Sequence, residues 1–380
     1  MKLRSGLFAV IILLVLSPII SGSVVSAAGT YPLASSSDVI QDALDFLESQ
    51  QASDGSIGSY TDSGWACIAI AAAGEDPNSW DQGGDSLVEY LRDNPDYEGA
   101  FNLATAYART ILAALASGED PSSFGTYTGG GVVNGDFVQA VNDLYNGTQF
   151  EDGFDSTDLV NDDMWAVRAL LAAGESVDSP EVAGGLAFIA ANQDANGGWS
   201  WAVPGHASYA TSPDDTAVAL LSLLKGGYAP DSSVVEAGLS YLKSVQDSTG
   251  GFVSYGYDNV SSTAWAVNAI AAARQNPVAS EWASSPTPVD YLLGQQQSDG
   301  RFPYRDPLPD GYSELPVQNT AWAVEALVGA HYRAPAAATV VGGVAESPHA
   351  AELLLPWIAC AVGAVLLIGW RVRRSRSATT

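Results

Sequence analysis

Two pairs of adjacent aspartates, Asp162-Asp163 and Asp214-Asp215, each open an apolar run, as do the single polar residues Asp62 and Asn319. Carboxyls side by side can divide acid and base work, because like charge or desolvation raises the pKa of one while the other stays ionised. Asp214 and Asp215 form one such pair, the candidate catalytic residues if the resemblance described below extends to activity. Brought together from neighbouring segments, Asp162, Asp163, Asp214 and Asp215 would instead suit a divalent cation such as calcium, which takes several oxygen ligands. His206, eight residues before Asp214, is placed to support it. The competing reading is structural: Asp, Asn, Ser and Thr cap helix N-termini, and a carboxylate there is held in its charged form, the reverse of what a proton donor needs.

The elements that must position these residues come from internal repetition. Ala264-Trp265-Ala266-Val267 recurs as Ala321-Trp322-Ala323-Val324, with Met164-Trp165-Ala166-Val167 and Gly64-Trp65-Ala66-Cys67 as close relatives. Ala106-Tyr107-Ala108-Arg109 and Asp215-Thr216-Ala217-Val218 complete six copies. The anchors Trp65, Tyr107, Trp165, Thr216, Trp265 and Trp322 are 42, 58, 51, 49 and 57 residues apart, room for a helix pair and two loops. Each anchor opens a stretch apolar on nearly every face, the mark of a helix buried all round. Amphipathic segments upstream, such as 38–49 and 235–245, read as outer helices with one wet face. The expected fold is all-α: an α6/α6 toroid of six helical hairpins over residues 36–334. All inner helices then start on one side and share a mouth, lined by Asp62, Trp65, Tyr107, Asp162, Asp163, Trp165, His206, Trp265, Asn319 and Trp322 as candidate ligand-binding residues.

The hairpin loops share chemistry. A glutamine closes the outer helix and a glycine with a bulky residue follows: Gln193 with Gly197-Gly198-Trp199, Gln246 with Gly250-Gly251-Phe252, Gln297 with Gly300-Arg301-Phe302, and Gln149 with Gly153-Phe154. Glycine supplies the left-handed turn and the aromatic folds back over the hairpin. Further aromatics, among them Trp201, Tyr209, Tyr255, Tyr257, Tyr304 and Tyr312, crowd the loops of repeats four to six, a surface suited to an apolar small molecule or a glycan.

At this point the residues match a known pattern. Gln193 to Trp199 resembles the Gln-Trp repeat of squalene and hopene cyclases, and Asp214-Asp215-Thr216-Ala217 resembles the end of their Asp-x-Asp-Asp-Thr-Ala acid motif. The resemblance, to the terpenoid cyclase and protein prenyltransferase toroid superfamily, spans residues 38–333. It implies the toroid and places the family's proton donor on Asp214, with Ser212 where the family has its first aspartate. Triterpene cyclases use a second barrel that this length does not supply. The prenyltransferases' zinc set is not matched, since Cys67 has no accompanying histidine and His206, His331 and His349 lack metal-ligand spacing.

The two ends resemble sorting signals. Residues 1–28, with Lys2 and Arg4, an uncharged run from Leu7 to Ile20 and a Ser26-Ala27-Ala28 exit, read as a signal peptide. From Leu353 to Trp370 eighteen residues carry no charge, about 27 Å as a helix, and four arginines follow. The expected plan is a Pro/Ala/Gly linker (335–350), a single transmembrane helix (351–370) and a basic cytoplasmic tail (371–380), with the toroid outside the cell membrane. Between the ends, 43 acidic residues face only nine basic ones, a field that repels nucleic acid. The function expected first is a membrane-anchored, cell-surface toroid that holds a ligand or partner at its mouth without catalysis. The alternatives are an exported cyclase-like enzyme using Asp214, and a glycan hydrolase or lyase, which needs two carboxyls facing across a cleft.

Overall fold

Two kinds of helix alternate along the chain, and burial separates them. The computed structural model describes residues 30–329 except 98–99, 101, 152–156, 207–208, 283–285, 310 and 312–313. The expected leader, linker, membrane helix and tail lie outside the described residues. Among the described residues no helix is long and apolar enough to cross a membrane.

One set comprises α2 (Tyr60–Ala72), α4 (Leu103–Ala116), α6 (Asn161–Ala173), α8 (Pro213–Lys225), α10 (Val260–Ala272) and α12 (Pro316–Val328). These are buried on most faces; nearly every residue of α10 is inaccessible. The other set, α1 (Asp38–Ser49), α3 (Leu87–Asp93), α5 (Phe137–Asn142), α7 (Pro180–Ala191), α9 (Ser233–Val245) and α11 (Pro288–Gln295), keeps one polar face. Successive helices of the first set pack side by side, and α12 returns to pack on α2, so six hairpins close into a ring. Each outer helix also lies against the inner helix of the preceding repeat, α1 against α12 included.

Hydrogen bonds fasten the seam. Leu33 N–H donates to Leu327 O (2.9 Å), Gln318 Nε2 to Asp62 Oδ1 (2.8 Å) and Gln296 Nε2 to Val39 O (2.8 Å). The last belongs to a repeated device. Gln51, Gln193 and Gln296 each donate to a glycine carbonyl in their own hairpin and to a backbone carbonyl of the next repeat, at Trp80, Val234 and Val39. Such closure leaves no exposed terminal repeat, so the core needs no capping unit.

The hairpins carry a second repeated bond. The N–H of the bulky hairpin residue donates to a side-chain oxygen in the first turn of the inner helix: Ile57 to Ser63, Phe150 to Asp163, Trp199 to Thr216, Phe252 to Thr263 and Phe302 to Thr320. This corrects three assignments. Gln296, not Gln297, is the sixth hairpin's glutamine, because it alone stands the required six residues before Phe302; Gln297 donates to Gln295 O. Phe150 fills the place expected for Phe154, which lies outside the described residues. Thr216 matches Thr263 and Thr320, so the fourth anchor is Val218, two residues later.

Repeats two and three have the shortest outer helices, seven and six residues. In repeat two, Tyr97 replaces the hairpin signal; its hydroxyl meets those of Tyr60 (3.1 Å) and Thr110 (2.7 Å). One departure from an all-α chain is a ribbon of β1 (Phe252–Ser254) and β2 (Tyr257–Asn259). Both of its turn residues, Tyr255 and Gly256, have positive φ, as a two-residue type I′ turn requires.

Candidate functional site

Six inner helices in a ring leave a lumen, and what fills it decides what the protein can do. At the anchor level four indoles meet across the axis. Trp65 lies 5.4, 5.8 and 5.6 Å, centroid to centroid, from Trp165, Trp265 and Trp322; Trp265 lies 5.5 Å from Trp165 and 5.7 Å from Trp322. These are edge-to-face and tilted contacts, each contributing about 0.5–1.5 kcal/mol beyond the area buried. Trp65 and Trp265 are buried, while Trp165 and Trp322 keep part of their surface exposed. Tyr107 does not join them. It turns aside to Tyr97 and Phe137, its hydroxyl donating to Gly130 O.

One turn toward the C-terminal side, three residues after the anchors, stand Arg168, Asn268 and Glu325, all buried. The Arg168 guanidinium lies 5.2 Å from the Trp165 centroid and 5.4 Å from that of Trp265, under the indole layer. Burial lowers its pKa to about 10, opposed by the charge of Glu325. These residues were missed in the sequence reading. Their signal was the i, i+3 spacing from Trp165, Trp265 and Trp322, which puts them on the axial face.

Toward the N-terminal rim, four residues before the anchors on the same faces, stand Thr61, Asn161, Asp214, Ser261 and Gln318. Four inner-helix junctions here are tied by side chains. Asn102 Nδ2 donates to Asp162 Oδ1, Ser262 Oγ to Asp214 Oδ2 (2.8 Å), Ser261 Oγ to Asn319 Oδ1 (2.8 Å) and Gln318 to Asp62. Asp62 also completes a capping box with Ser59. Among the described residues Thr61 and Asn161 spend no side-chain hydrogen bond on the protein, and both are half-buried. The mouth is thus a cup with an indole floor and a polar collar that includes the Asp214 carboxyl.

The four aspartates separate into different roles. Asp163 is fully buried; Oδ1 accepts from Phe150 N–H at 3.0 Å while Oδ2 has no partner. Burial pushes its carboxyl well above the usual range, against the Phe150 bond, with the charge of Asp162 adding to the rise. Asp215 takes the Ser212 hydroxyl at 2.7 Å. Burial raises it to about 7; the Ser212 and Trp201 bonds oppose this and the charge of Asp214 adds to it. Burial also raises Asp214, against bonds from Ser262 and Ser254. The lowering expected from the helix N-terminus is therefore overturned, because desolvation of a half-enclosed carboxyl outweighs the partial charge of the helix end. The four do not converge as a cation cage: among the described residues no three His, Cys, Asp or Glu side chains gather at metal-binding distance. His206 stacks edge-on against Trp201, centroids 4.9 Å apart, in the loop before α8.

No protein-family model matches the chain, and no curated protein does. Solved structures do. The type II terpene cyclase MstE from Scytonema superposes with a TM-score of 0.51 at 17% identity, over 77% of this chain and 97% of that one. MstE with merosterolic acid A, its product, gives 0.51 and 17%, covering 77% and 96%. A protein from Actinoplanes gives 0.51 at 15%, covering 77% and 98%. At this identity the likeness is one of fold: the chain is an α/α toroid, a fold it shares with these structures.

Proposed function

We propose that this chain is an exported, membrane-anchored toroid whose mouth, on the inner-helix N-terminal side, holds a ligand or partner without chemical turnover. The observation that carries this reading is the indole cluster. A cyclase must enclose its substrate in an apolar cavity, and here four tryptophans in mutual contact occupy the axis where that cavity would lie. The rim supports the same reading, since Asp62, Asp162, Asp214 and Asn319 are spent on bonds between neighbouring helices. Native mass spectrometry of the protein purified from its own source tests it. A stoichiometric molecule that returns chemically unchanged after cycles of release and rebinding is expected. Conversion of that molecule by the protein would refute the reading.

A second reading, a terpene cyclase-like enzyme with Asp214 as general acid, has one observation in its favour. Asp214 and Asp215 are both shifted toward the protonated form that a proton donor needs. It requires that an isoprenoid substrate be turned over and that Asp214→Asn abolish the turnover. A glycan hydrolase would need facing carboxyls, whereas Asp214 and Asp215 are neighbours on one helix.

A further inference from the structure

We propose that the cup takes a neutral, polyhydroxylated ring, a single sugar residue of a glycan, seated with its C–H face on the exposed parts of Trp165 and Trp322 and its hydroxyls on Thr61, Asn161, Ser261 and Gln318. This rests on the reading of the mouth as a ligand site and names the class of ligand.

The size comes first. Six helices packed about 8–10 Å apart place their axes about that far from the centre, so short collar side chains leave a lumen on the order of 7 Å across, one sugar ring wide. Long side chains would close it; Thr61, Asn161, Asp214 and Ser261 are short, Gln318 is drawn sideways by Asp62, and the equivalent position on α4 is Leu103. The floor is aromatic: Trp165 and Trp322 are half-buried, whereas the other two axial indoles are at 5% and 4% exposure. Trp322 Nε1 itself is buried, with no hydrogen-bond partner among the described residues. An aromatic face with polar groups beside it matches a ring that is apolar on its faces and hydroxylated at its edge.

The collar then sets the charge of the ligand. Hydroxyls and side-chain amides both donate and accept, which suits hydroxyl groups that do the same. Asn161 and Thr61 have that capacity unspent, and the Gln318 carbonyl and the Ser261 hydroxyl, already bonded to Asn319, complete the edge. Arg168 lies beneath the indole layer, and the acidic body repels an anion such as a phosphate. An isoprenoid would leave the collar's polar groups dry and unpaired, a cost of about 1–3 kcal/mol for each.

The test is a titration of the full-length protein with glucose, galactose, mannose, N-acetylglucosamine and their linked dimers, and separately with farnesol, read by tryptophan fluorescence and by saturation-transfer NMR on the ligand. At least one sugar is expected to bind saturably, with magnetisation transferred chiefly to its ring C–H protons. Asn161→Ala and Thr61→Val should each weaken it tenfold or more at unchanged Tm, and Trp322→Phe, which keeps an aromatic floor, should weaken it less. Farnesol binding with no sugar binding overturns the sugar assignment and leaves the mouth a ligand site. Sugar binding that the collar variants do not alter overturns the location. Binding of neither overturns the inference, and a molecule then found by native mass spectrometry of the source protein would show that the broader reading survives it.

Discussion

Ser63, Thr216, Thr263 and Thr320 use a hydroxyl to accept the hairpin N–H of their repeats; in repeat three a carboxyl, Asp163, does the same job. A hydroxyl meets this N–H and can also donate to backbone, as Thr263 does to Asn259 O at 2.7 Å. Asp163 meets it with Oδ1 and leaves Oδ2 buried with no partner. Asp163→Thr should therefore stabilise the protein, and by an amount that depends on pH. A carboxyl that stays protonated in the fold costs about 1.4 kcal/mol for each pH unit above its unfolded value near 3.9, so about 4 kcal/mol bounds the gain at pH 7. Repacking at a fully buried site consumes part of it, leaving about 2 kcal/mol, or roughly 4–8 °C in Tm. The sign follows from the direction of the shift: with the folded pKa raised, the stability tied to the neutral form is complete below about pH 3.9 and is lost as pH rises through the folded value. Urea and thermal unfolding of Asp163→Thr and wild type at pH 4.5 and 7.5 should show a small difference at the lower pH and a clear gain at the higher one. Asp163→Asn, which removes the charge and keeps the shape, should follow the same trend. A loss of stability at pH 7.5, or an equal gain at both values, would refute the claim that an unpaired buried carboxyl is the cause.

The wild-type protein should lose Tm between pH 5 and pH 8 at fixed salt, because Asp163, Asp214 and Asp215 are all raised, Asp215 to about 7, whereas Asp54, Asp76 and Glu89 are lowered and act only in stronger acid. Trp265→Ala removes an indole that touches three others and Arg168, and should cost about 3–5 kcal/mol in chemical denaturation with loss of near-UV circular dichroism. Arg168→Met should cost about 3–5 kcal/mol by stranding Glu325, while Arg168→Met with Glu325→Leu should recover most of it; full additivity of the two losses would show that the charges are not coupled. Gln296→Ala should cost about 1–3 kcal/mol by breaking the seam bonds to Val39 and Gly300, and Gln297→Ala less than about 0.5 kcal/mol, a contrast that checks the hairpin register.

The amino-acid pattern alone determined the ring and its periodicity. Inner helices must be apolar on all sides, so their runs stand out in composition, and the Trp-Ala anchors mark four of six starts at one register. It also put the polar starts of the inner helices on one side of the ring. It could not determine the fourth anchor, because Thr216 occupies an anchor-like place in the letters while its hydroxyl bonds to Trp199 N–H and leaves Val218 on the axis. The spacing of six residues from Gln193 to Trp199 and from Gln246 to Phe252 already points to Gln296 rather than Gln297, and the carbonyls within reach agree. The upward shift of Asp214 and Asp215 was decided by tertiary structure alone: a helix N-terminus lowers a carboxyl locally, and only the neighbouring helices and loops that exclude water could reverse it. The closure of the axis was likewise decided there. Trp65, Trp165, Trp265 and Trp322 lie up to 257 residues apart in the chain, and their contact exists only because the sixth hairpin returns to the first.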